Sequence, residues 1–96
     1  MSAAIRFIPL GRTVATAAVN NWLTEDPRVW PYIKDAINRH QSGEWGELCK
    51  EDWAANDFAA TNEGRLLSAY TILGRKVWII TEWDRSVTTV LFPEDY

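Results

Sequence analysis

A chain of 96 residues, 47% of them hydrophobic and six of them Trp, is one domain in length and too apolar for intrinsic disorder. Its net charge of −3 disfavours sequence-independent DNA wrapping or a polybasic membrane contact, both of which need clustered Lys and Arg. A single Cys and a single His exclude an internal disulfide and leave too few ligands for a zinc site.

Ile5, Phe7 and Pro9 alternate with Arg6, Ile8 and Leu10 ahead of Gly11, which predicts a short first strand with Pro9 tolerable mainly at an edge. No charged lead with an uninterrupted apolar segment opens the chain, so no secretory signal is expected and a cytoplasmic setting is the default. The longest uncharged run, Thr13 to Thr24, falls short of the roughly 20 apolar residues that span a bilayer. Thr16 is placed to cap a helix over Ala17 to Leu23 that ends before Asp26-Pro27. From Arg28 to Gln41, Val29, Trp30, Ile33, Ala36, Ile37 and His40 recur at three and four, the spacing of one helix face. Pro31 then lies in the first turn, where its missing donor does no harm.

Lys50 to Ala60 reads as a third helix, with Cys49 standing in for Ser in a capping box. Three strand patterns follow, Arg65 to Ile72, Lys76 to Trp83 and Val87 to Phe92, and their short links make them antiparallel neighbours. Both faces of the second are largely apolar, which places it centrally with helices over one side. The expected fold is a single α+β domain over residues 1–96, with two or three N-terminal helices packed on a three- to four-stranded antiparallel sheet.

Polar chemistry concentrates between Arg39 and Asn56. Glu44, Glu47, Glu51, Asp52, Asp57 and Glu63 face only Lys50 across one acidic segment. Carboxylates at helix ends commonly complement the helix dipole, so a carboxylate metal site is not expected, and no cofactor is. His40 has the ring chemistry for proton transfer near neutrality, yet it continues an apolar stripe, as a histidine tying a helix end to its loop would. Cys49 gains nucleophilicity from a helix amino terminus and loses it to the acids around it. Glu82, Asp84, Arg85 and Ser86 suit either a phosphate contact or ordinary hairpin closure.

Four segments carry a resemblance: Arg39-His40-Gln41-Ser42-Gly43-Glu44-Trp45-Gly46, Asp52 to Asp57, Leu66 to Tyr70, and Trp78 to Val90. Together they resemble a family of short plasmid- and phage-borne bacterial proteins, usually labelled plasmid-related or restriction-modification subunits. The likeness covers about residues 39 to 96 and implies a mobile-element setting without naming a mechanism. The family pattern carries aspartate where Glu44 stands, serine for Cys49 and alanine for Trp83.

Two functional expectations follow. One is a non-enzymatic interaction protein that blocks or tunes a host protein, such as a CRISPR or restriction defence complex with a basic nucleic-acid-binding surface. It would use Glu44, Glu47, Glu51 and Asp57 for steering and Trp45 and Trp53 as anchors. The other is a metal-independent, barnase- or toxin-like ribonuclease with His40 as acid, Glu82 as base, Arg65 and Arg85 on the phosphorane, and Ser68 or Tyr70 positioning substrate.

Overall fold

The structure, a computed structural model, describes residues 7–96. A short strand β1 (Arg12–Ala15) leads into helices α1 (Ala17–Glu25), α2 (Trp30–Gln41) and α3 (Lys50–Thr61), then strands β2 (Leu66–Ile72), β3 (Arg75–Thr81) and β4 (Val87–Leu91). A 3-10 turn at Pro27–Val29 joins α1 to α2, and another at Pro93–Asp95 follows β4. The class is α+β.

Local chemistry accounts for most boundaries. The Thr16 hydroxyl accepts the Val19 amide 3.4 Å away and caps α1, as expected. Asp26 closes α1 and caps the turn that holds Pro27, and Pro31 sits in the first turn of α2. Cys49 does occupy the cap position of α3, but its side chain makes no capping bond. The expected capping box is therefore absent, and Glu51 and Asp52 in the first turn complement the helix dipole instead. Leu73 and Gly74 both take positive φ, 48° and 81°, giving the primed two-residue turn that matches strand twist between β2 and β3.

The sheet runs β1-β4-β3-β2 and is mixed. β2, β3 and β4 are antiparallel neighbours, whereas β1 pairs parallel to β4. The wholly antiparallel sheet and the N-terminal helix layer are both corrected by this order. A strand precedes the helices, and the chain reaches β4 from β1 only through the helices and the hairpins, which allows a parallel pairing that no tight turn could make. β3 is internal, as expected.

The first strand also lies elsewhere than its alternation predicts. Ile5 and Arg6 fall outside the described residues, and 7–10 form no strand. The Ile8 amide donates to Gln41 O at 2.8 Å, Gln41 Nε2 donates back to Ile8 O at 3.0 Å, and Leu10 O accepts from Thr88. Their main-chain groups are thus committed to α2 and β4, and Pro9 has no amide to offer a ladder.

One core joins Val19, Val29, Ile33 and Ala36 from the helices to Tyr70, Ile72, Val77, Ile79, Val90 and Phe92 from one sheet face. Each fully buried aliphatic side chain there is worth roughly 1.5–3 kcal/mol. A smaller cluster of Ile8, Trp45 and Leu66, with Leu48, Trp53, Ala59 and Ala60 against it, docks α3 near the β2 edge.

Candidate functional site

His40, at the last turn of α2, is fully buried. Its Nδ1 lies 2.5 Å from Ser68 Oγ and its Nε2 2.8 Å from Thr81 Oγ1. Thr81 Oγ1 is in turn 2.7 Å from Thr88 Oγ1, which donates to Leu10 O at 2.7 Å. A carbonyl can only accept, so the proton of Thr88 is spent there and Thr81 must donate to Thr88. Thr81 then has no proton left for the ring, which makes Nε2 the donor and Nδ1 the acceptor from Ser68. Burial first, and the positive charge of Arg85 second, push the His40 pKa down to about 4, so the ring is neutral. A one-way chain of hydrogen bonds thus links α2, three strands of sequence neighbourhoods and the segment before β1.

Of the other three residues expected beside His40, Glu82 and Arg65 pair with each other away from it, and Arg85 is near enough for its charge to act on the ring. Thr81 faces His40, while the next side chain, Glu82, pairs with Arg65 through Nε to Oε1 at 3.4 Å. Arg65 also stacks 5.3 Å over the Tyr96 ring and donates to its hydroxyl at 2.6 Å, and Tyr96 meets Trp78 edge-on. Trp78 belongs to the sheet face opposite Val77 and Ile79, so the sheet separates this group from His40. Arg85, with φ of 61°, aims its guanidinium at carbonyls: Gly64 O at 2.5 Å, Ala59 O at 2.7 Å, Glu82 O and Trp83 O at 3.2 Å. It ties the β3–β4 turn to the end of α3. Tyr70 donates to Glu44 O at 2.6 Å, and burial pushes its pKa up to about 12.

The residues expected to form a contact surface divide in two. Trp45 is wholly buried, edge-on to His40 at 5.5 Å, with its indole N–H on Asp57 Oδ1 at 3.0 Å. As an outward anchor it is corrected by that burial: the indole fills the gap between α2, α3 and Leu66. Trp53 is half-buried and donates to Gly46 O. Glu44 pairs with Arg39 at 2.9 Å, and Glu47 with Lys76 at 2.8 Å and Thr71 at 2.9 Å. Glu51, Asp52 and Glu63 remain exposed.

Three residues that sequence reasoning did not single out shape this surface. Asn56 donates to Leu67 O at 2.6 Å and accepts the Leu67 amide at 3.3 Å, imitating a strand partner for β2. Next to it, Glu47 N and Trp45 O pair with both main-chain groups of Ala69, and Gly46 bridges to Ala69. Gly46, at φ 80°, lies so close to Ala69 O that a Cβ could not be accommodated. The β2 edge is thereby closed. Phe58, by contrast, is 70% exposed. The 100° step of the helix puts it opposite Trp53 and Ala60, among Glu51, Ala54 and Ala55, and that angular mismatch is the sequence signal that would have found it. A hollow of about 220 Å³ opens between α3 and β2, lined by Leu48, Asp52, Ala55, Asn56 and Leu67.

Among the described residues no group of three or more His, Cys, Asp or Glu is placed to hold a metal ion, and no helix is long and apolar enough to cross a membrane. Comparison with known protein families, curated proteins and solved structures finds no match.

Proposed function

We propose that this protein is a small acidic interaction module, of the mobile-element setting its sequence resembles, that binds a host protein and inhibits or modulates it. The outer face of α3 is the contact surface. Phe58 supplies the desolvating anchor in place of Trp45, the hollow between α3 and Leu67 accepts an apolar side chain of the partner, and Glu51 and Asp52 steer a basic surface toward both. The carrying observation is Phe58: a Phe held in solvent on a regular helix whose first turn exposes two acids, Glu51 and Asp52.

A nucleic-acid-binding surface of a CRISPR or restriction complex has the positive charge this face would complement. Titrating the protein into a purified complex of that kind should displace target DNA. Phe58→Ala, and separately Glu51→Lys with Asp52→Lys, should each weaken displacement about tenfold or more, with the association rate falling as salt rises. Full DNA binding at saturating wild-type protein would end this reading for that partner class, and unchanged potency of both variants would end it for this face.

A further inference from the structure

The opposite edge of the sheet is built differently from the β2 edge. Arg12 N donates to Ser86 O at 3.0 Å and Thr16 N to Val90 O at 3.1 Å, so alternate residues of β1 turn their amides to β4. Strand alternation turns those of Thr13 and Ala15 the other way, and β1 is the last strand of the sheet. Asn20 Nδ2 takes Ala15 O at 3.3 Å. The Thr13 N–H, Thr13 C=O and Ala15 N–H are left facing outward with no strand beside them among the described residues.

Directly behind this edge runs an apolar groove. A cavity of about 200 Å³ lies between β1 and the helices, walled by Leu23, Trp30, Ile33 and Ile37, and it continues into a wider recess of about 460 Å³ along Leu23, Pro27 and Trp30. Trp30 is 52% exposed although it begins a helix whose Ile33 and Ala36 are buried. Free main-chain donors and acceptors beside an apolar trough call for an extended chain with an apolar side chain at every second residue: the backbone extends the ladder and the inward side chains enter the trough.

We propose that the β1 edge and the Leu23–Trp30–Ile33–Ile37 groove form a strand-addition site for an extended, alternately apolar peptide segment of another protein. A second copy of this chain fits less well. Pairing β1 with β1 would bring only Thr13 and Ala15 to the helix side, and neither is large enough to fill the groove. The site shares no residue with the α3 face, so each stands or falls alone.

The probe is a capped heptapeptide, Lys-Val-Thr-Val-Thr-Val-Lys, titrated into the full chain and followed in amide proton–nitrogen spectra. Shifts should centre on the Thr13 and Ala15 amides and the Trp30 indole. Ala15→Pro removes an outward donor without touching the bonds to β4, and should weaken binding at least tenfold, as should Trp30→Ala. Of two peptides N-methylated on the valines or on the threonines, one should lose binding and the other keep it. Absence of shifts at β1, shifts confined to α3, equal binding of both methylated peptides, or a peptide-free dimer held through this edge would each overturn the proposal. Should Ala15→Pro fail to fold, Trp30→Ala and the methylated pair decide.

Discussion

A buried histidine with both nitrogens satisfied is an expensive way to fill space, and at His40 the expense shows as a pH dependence. Unfolded, the ring takes a proton near pH 6.5; folded, it resists until about pH 4. Between those values the unfolded state binds more protons, so stability must fall as pH drops through that window and is fully present above it. The difference corresponds to about 3 kcal/mol. Urea midpoints of wild type and His40→Gln from pH 7.5 to 4 should therefore converge: the variant starts less stable, because Ser68 and Thr81 lose their partner geometry, and declines less. Parallel curves would show that the ring titrates alike in both states. Both ring nitrogens are taken by internal partners, Ser68 and Thr81.

At the scale of elements, the two edges of one sheet meet opposite fates. β2 is closed by side-chain imitation of a strand, through Asn56, and by the loop at Trp45–Glu47. Asn56→Ala would leave a half-buried amide and carbonyl of Leu67 without their side-chain partner, at about 1 kcal/mol. Chemical denaturation should show that loss, and hydrogen exchange should localise it to Leu67 while Val77 and Ile79 keep their protection. Uniform acceleration across the sheet would mean that Asn56 matters to the global fold and not to the edge. Among the described residues β1 has no such cover, and its brevity, four residues, limits the hazard of an open edge.

For the whole molecule, Arg85 does the joining. Its carbonyl contacts bind the turn between β3 and β4 to the end of α3, where the negative end of the helix dipole favours a cation. A planar fork with five donors reaches several carbonyls at once; an ammonium is a point charge. Arg85→Lys should therefore cost nearly as much as Arg85→Ala, on the order of 2–3 kcal/mol. Because the partners are carbonyls and not carboxylates, the cost should persist in high salt. Thermal melts at low and high salt check this, and near-complete rescue by lysine would show that charge alone suffices.

The helices and the three late strands were legible in the chain because they rest on neighbours three, four or two residues apart. The stripe from Val29 to His40, the Thr16 cap and the three late strands needed nothing distant. The polar centre was half legible: His40 stood on an apolar face, which pointed inward, but its partners Ser68 and Thr81 lie 28 and 41 positions away and are ordinary strand residues in isolation. The parallel β1 and the burial of Trp45 were settled by assembly. A strand's neighbour and a side chain's depth depend on which surfaces compete for the same core, and that competition is decided by contacts far apart in sequence.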